Sequence, residues 1–182
     1  MVAVANAVQG AVTGSVYVAP ASTAVPTTIA GALNAAFNDV GYISEDGVVT
    51  STNSDTNEIK AWQNGDIVRV IQTSHEFTLK FTMIETNEYA LKAYYNSYTH
   101  GAGAADGVVQ VTGTAAFRGA WVINVVDGTD LIRIVVPDGQ VTDRDDVSYV
   151  NGDPISYGVT VTCYPDSSNV KAYIYFAADY AS

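Results

Sequence analysis

A chain of 182 residues is long enough to hold a core without staples, because folding at that size removes roughly 70% of the unfolded surface from water, and a single cysteine, Cys163, rules out an intrachain disulfide. Hydrophobic residues at 48% against charged residues at 15% exclude intrinsic disorder. The balance of 8 Lys and Arg against 19 Asp and Glu, a net charge of −11 with the cations scattered singly, excludes a protein that grips nucleic-acid phosphates.

Met1–Thr13 is rich in Ala and Val, with Asn6, Gln9 and Gly10. It is too apolar for a solvated tail and too short for a core, so it is expected to be an arm that meets a partner. Met1–Pro20 also lacks the basic segment and long apolar run of a signal peptide or membrane span, and the chain reads as folded in a cytosol. Gly14–Pro20 alternates as a strand. Thr27 or Thr28 can cap a helix through Phe37, with Leu33 and Phe37 four apart and Gly41 beyond its end. Ile43–Gly47 reads as a turn, Val49–Asn57 as a long loop, and Asn64-Gly65 as the tip of a hairpin whose first arm is Glu58–Gln63. The clearest period follows: Phe77, Leu79, Phe81 and Met83 alternate with Glu76, Thr78, Lys80 and Thr82, a strand with one buried face.

Thr86-Asn87-Glu88 opens a helix over Tyr89–Tyr95, where Glu88 suits the positive end of the dipole. Ser97–Gly107 is a Gly- and Ala-rich loop. Short β-rich runs then recur at Val108–Val111, Phe117–Val126, Leu131–Val136, Ile155–Cys163 and Val170–Ala177, parted by turn signals that include Asp127-Gly128 and Asp138-Gly139. The pattern predicts one mainly β domain over residues 1–182, a sandwich or barrel with one or two flanking α-helices.

No chemistry stands out. His100–Gly107 lacks the strand-to-helix setting and glycine spacing of a nucleotide loop. There is no Gly-x-Ser-x-Gly elbow, and the two histidines, His75 and His100, have no motif around them. His75 reads as a hydrogen-bonded strand-end residue. Asp143–Asp146 and Asn53-x-Asp55-x-Asn57 could coordinate calcium, but the latter has Glu58 where the calcium loop needs glycine and Asn64 where it needs a bidentate glutamate; both read as solvated loops. Glu85 and Glu88 bracket a helix start, which favours capping over acid–base work. The 12 tyrosines, Tyr94, Tyr95, Tyr98, Tyr173 and Tyr175 among them, suit subunit contacts. No enzyme activity, metal or cofactor is expected. An apolar arm, edge strands and a surface poor in charge describe a subunit that completes its sheets against neighbours.

At Gly41-Tyr-Ile-Ser-Glu-Asp-Gly-Val48, at Glu58-Ile-Lys-Ala-Trp-Gln-Asn-Gly-Asp66, and from Val68 to Asn87, the chain resembles the major tail proteins of long, non-contractile-tailed phages of siphovirus type, above all those of actinobacterial phages. The resemblance runs from about Gly14 to Tyr94-Tyr95 and more weakly to Phe176. It implies a tail tube subunit in the virion, assembled in the host bacterial cytoplasm. Hexameric rings would stack into the conduit through which double-stranded DNA is ejected, passing without specific binding and with no membrane contact. The implied partners are further copies of itself, the tape measure protein, and tail terminator and tail tip proteins. Glu58, Lys60, Asp66, Arg69, Glu76 and Lys80 are expected to face the lumen, where a predominance of carboxylates would keep like-charged DNA from adhering. Val2, Val4, Val8 and Val12 in the arm, with Asp55, Tyr98 and His100, are expected at contacts between subunits or rings. A non-catalytic β-sandwich adhesin or carbohydrate-binding module is the competing expectation.

Overall fold

A computed structural model of the chain describes residues 10–100, 107–113, 115–128 and 130–176. In chain order they form strands β1 (Thr13–Pro20), β2 (Asn38–Asp39), β3 (Ile43–Lys60) and β4 (Ile67–Met83), helix α1 (Glu88–Tyr95), the short strands β5 (Thr99–His100) and β6 (Gly107–Val108), and strands β7 (Arg118–Asp127), β8 (Asp130–Arg144), β9 (Tyr157–Cys163) and β10 (Tyr173–Phe176). All but β5 and β6 belong to one antiparallel sheet in the order β2-β1-β7-β8-β9-β4-β3, with β10 also on β8. The expected mainly β fold is present, sandwich-like, and one helix flanks it among the described residues.

The sheet folds onto itself at β8. The first half of β8 pairs β10 from Ile132 to Val135, and its second half pairs β9 from Gly139 to Arg144. Asp138-Gly139, expected as a turn, lies inside this strand, at a shift in the register with β7 between Gly119 and Trp121. A Cβ on Gly139 would sit 2.7 Å from Trp121 Cδ1 and 2.8 Å from Val161 Cγ1, and the Trp121 indole N–H donates to the Gly139 carbonyl at 3.1 Å. The glycine is there for close approach. The bend brings Val16 and Val18 of β1, Trp121 and Ile123 of β7, Leu79, Phe81 and Met83 of β4 and Val159 and Val161 of β9 onto one buried core. The period read at Phe77–Met83 is this core face.

Helix α1 closes one side of that core through Ala90, Ala93 and Tyr94. Its cap is Asn87, whose Oδ1 accepts from the amides of Tyr89 and Ala90 at 3.0 and 2.9 Å, while Nδ2 donates to the Val40 carbonyl at 2.9 Å. Asn96, left-handed at φ 55, ends the helix. Cys163 is buried, and loss of water pushes its thiol up to about 12, so it stays a protonated core residue.

No helix spans Thr27–Phe37. Gly31 donates to Thr28 at 3.2 Å and Phe37 to Asn34 at 2.9 Å, as turns. The carbonyls of Thr28 and Gly31 are taken by Nη1 of the buried Arg133, at 3.4 and 2.6 Å. Leu33 and Phe37 instead press onto Ala19, Ala120, Val122 and Val135 on the sheet's other face. Their four-residue spacing is that of a strap laid over a sheet.

Asn87→Ala removes a cap and orphans the Val40 carbonyl, and is expected to cost about 2 kcal/mol, read from urea unfolding. Gly139→Ala drives a methyl into Trp121 and Val161 and is expected to cost about 1 to 3 kcal/mol, with loss of the near-UV Trp signal before loss of strand content.

Candidate functional site

Strands β3 and β4 run together well past the rest of the sheet. β9 supports β4 only from Thr78 to Met83, whereas β3 pairs β4 from Val48–Phe81 out to Lys60–Ile67. The outer part is a two-stranded ribbon, and every residue over 49–60 and 62–76 is exposed. The expected Asn64-Gly65 turn is at its tip, both residues left-handed at φ 65 and 70, closed by the Ala61 amide donating to the Asp66 carbonyl at 2.7 Å.

Val49–Asn57 is therefore strand, not loop. Its Ser, Thr and Asn side chains bond across the pair: the Ser74 hydroxyl donates to Asp55 Oδ2 at 2.8 Å, the Thr73 hydroxyl to the Asp55 carbonyl at 3.2 Å and Gln72 Nε2 to Ser54 Oγ at 3.1 Å. These bonds gather at a bulge, where Asp55 faces Ser74 but Thr56 faces Gln72. Beyond it β4 has shifted by one residue against β3, and its side chains exchange faces.

The six residues expected at the lumen all lie on this hairpin, on two faces. Glu58 and Lys60 share one, with Nζ and carboxylate 3.8 Å apart. Arg69 stands opposite Ile59, Glu76 opposite Asn53 and Lys80 opposite Val49, on the other. Asp66 is beside the tip turn. Lys80, at the base, pairs with Asp145 at 3.3 Å. What sequence reasoning missed is apolar: Ile59, Trp62, Ile67, Val68, Val70 and Ile71 are exposed around the tip, Trp62 at 97%. Their signal was an alternation that matched a half-buried strand, whereas no layer covers either face among the described residues.

A second feature lies where the two ends of the curled sheet approach each other. β1 and the start of β3 flank a cleft of about 620 Å3, with Val16, Val48, Ile123 and Val125 among its lining residues. Asp39, Glu45 and Glu85 also line it, and no lysine or arginine does. Ser44–Gly47, the greater part of the turn expected over Ile43–Gly47, bulges from β3 between the Ile43–Met83 and Val48–Phe81 pairs, and the buried Ser44 hydroxyl has no hydrogen-bond partner among the described residues. Glu85 Oε2 accepts from the Tyr42 amide at 3.1 Å. Gly41, at φ 89, leaves room for that carboxylate, 2.2 Å from where a Cβ would stand. Val12 is 74% exposed near the mouth.

Of the other expected contact residues, Asp55 is on the ribbon. Tyr98 and His100 sit beside helix α1, their rings edge to face at 5.5 Å, with His100 Nε2 3.3 Å from Glu88 Oε2. The Lys92 ammonium donates to Glu88 and, with His100 adding, holds its carboxyl below the usual range. Glu88 thus serves the first helical turn, as its position predicts. Val2, Val4 and Val8, and the Gly-rich segment 101–106, lie outside the described residues. His75 is mid-strand rather than at a strand end, and its carbonyl accepts from Lys171. Asp145 is engaged by Lys80, and no group of three metal-binding side chains occurs among the described residues. Tyr94 is buried in the core, edge to face with Tyr95 and Tyr157, and Tyr95 is half-buried against it, with loss of water pushing its hydroxyl up to about 12.

The ribbon's stability is local. Val70→Thr is expected to change the unfolding free energy by less than about 0.5 kcal/mol, while Leu79→Ala, nine residues along the same strand, is expected to cost about 2 to 5 kcal/mol; paired urea titrations compare them.

The sequence profile of a family described as phage tail tube protein matches residues 1–181. Among solved structures, a chain of the PVC sheath-tube complex of an extracellular contractile injection system, in its extended state, is similar over 95% of this chain and 95% of that one, at 12% identity and a TM-score of 0.53. A chain of the tube-terminating cap of the anti-feeding prophage aligns over 90% and 88%, at 13% identity and a TM-score of 0.48. A chain from the tail of an empty GTA particle aligns over 79% and 87%, at 10% identity and a TM-score of 0.41. No curated protein matches.

Proposed function

The chain belongs to the phage tail tube protein family, a structural family without catalytic activity, and from that premise we propose that it polymerises as stacked hexameric rings into the tail tube of a long, non-contractile-tailed phage of the siphovirus type, close to those of actinobacterial phages. Residues 1–182 act as one tube-forming domain. The tube conducts double-stranded DNA out of the virion, and its assembly in the host cytoplasm is measured by the tape measure protein and ended by terminator and tip proteins.

The observation that carries the reading is the ribbon. Six exposed apolar residues at the tip of a hairpin that no other element covers among the described residues make a poor wall for a water-filled channel. They suit burial against another copy. We therefore divide the six hairpin positions. Glu76 and Lys80, at the base, are proposed for the lumen wall, where the bond of Lys80 to Asp145 mutes its attraction for phosphate. Glu58, Lys60, Asp66 and Arg69, at the tip, are proposed for contact with a neighbour. Val2, Val4, Val8 and Val12, with Asp55, Tyr98 and His100, are proposed for contacts between subunits or rings.

Negative-stain electron microscopy of the concentrated protein at near-physiological salt tests this, with hollow filaments of uniform diameter expected. A monomer that stays dispersed under all initiating conditions would overturn it. Removing residues 1–9 is expected to leave a folded subunit, by circular dichroism, that forms no tubes.

A further inference from the structure

Building on that assembly, we propose that the tip of the β3–β4 ribbon of one copy, led by Trp62, seats in the cleft between β1 and β3 of a second copy. Four observations converge on this occupant. The first is apolar match: Trp62 stands almost fully in water in its own chain, and the cleft has Val16, Val48, Ile123 and Val125 to receive it. A single large aromatic entering a preformed hollow is the usual form of an interface anchor.

The second is charge. Asp39, Glu45 and Glu85 line the cleft with no cation among them, in a chain with only 8 cations in all. Two of those, Lys60 and Arg69, flank the tip, and Arg69 has no ion pair among the described residues. The tip, with Glu58 and Asp66, is neutral in a chain of net charge −11. It is the part of a strongly acidic surface that a second acidic surface repels least, and it brings guanidinium and ammonium groups to carboxylates.

The third is unmade hydrogen bonds. β3 is the last strand of the sheet, so its outer edge is unpaired among the described residues. Among the described residues β2 pairs β1 at Tyr17 and Val18 alone, which leaves Thr13–Ser15 unpaired on that edge beside the cleft, and the buried Ser44 hydroxyl has no partner there. An extended segment entering there finds rows of N–H and C=O groups to pair with. Fourth, knob and hollow are different surfaces of the same chain. A contact of that kind is head-to-tail, and it propagates rather than stopping at a dimer. It also draws Lys60 and Arg69 away from passing DNA.

The test is thiol cross-linking of full-length protein carrying both Gln63→Cys, beside Trp62 on the exposed tip, and Glu45→Cys, assembled and treated with a short bifunctional maleimide. The native Cys163 is buried and adds no background. A ladder of dimer, trimer and higher species on a denaturing gel, absent from either single variant, is expected. A companion measurement uses the chain's two tryptophans. Trp121 is already buried, so a blue shift of emission on assembly, lost in Trp62→Phe, reports seating of the tip. Tubes that form without the ladder or the shift would overturn the docking and leave the tube reading standing. So would a ladder that requires Val4→Cys in place of Gln63→Cys, which would give the cleft to the N-terminal segment. A dimer with no higher rungs would make the contact two-fold, also against the proposal. If the parent protein forms no tubes, both readings fall together.

Discussion

Everything in this molecule depends on one strand being able to serve two layers. β8 pairs β10 along its first half and β9 along its second, and it turns between them where Trp121 lies on Gly139. Without that approach, β1 and β7 would have no facing layer, since Val16, Val18 and Ile123 share their core with Leu79, Phe81 and Val161 from beyond the bend. The cleft follows from the same fold-over. A sheet that curls until its two ends meet, but does not hydrogen-bond across the gap, has a seam, and the seam is lined by whatever the end strands carry.

The ribbon reflects the opposite condition. Past Thr78, β4 loses β9, and a two-stranded hairpin has no core of its own to bury. It is held by its ladder and by the cross-strand bonds of Asp55, Ser74, Thr73 and Gln72, each of which competes with water. The chain thus has a body whose stability comes from packing and an appendage whose stability waits on company. Arg133 shows a related division within the body. It is a buried cation that donates to Asn124 and to the Thr28 and Gly31 carbonyls, and these bonds hold a strap to the sheet.

How far the sequence could be read follows from this division. Phe77–Met83 and α1 were legible because their apolar spacing matches a face that is buried within the same chain. Asn64-Gly65 was legible because turn chemistry is local. Thr27–Phe37 has helical spacing without a helix because spacing alone does not say what occupies the carbonyls, and Arg133 lies about a hundred residues away. Val49–Asn57 was misjudged as loop because its bonding partners sit across a hairpin, and its Ser, Thr and Asn content is that of a turn. The two faces of the ribbon depend on the bulge at Thr73, since one unpaired residue exchanges them and no sequence signal marks it. The cleft is formed by strands far apart in sequence, and no motif announces it.

The polar middle of the ribbon has a further consequence. A protruding hairpin with a free edge and an apolar tip is the shape of a nucleus for indiscriminate strand pairing. Between the apolar tip and the apolar body, residues Ser51–Asn57 are Ser, Thr, Asn and Asp without a single hydrophobic side chain, and the bulge opposite Asp55 and Thr56 twists the edge there. Stretches of this kind act as gatekeepers against runaway sheet growth. The segment that looks least informative in the sequence is what sets an apolar tip apart from an apolar body along one continuous hairpin.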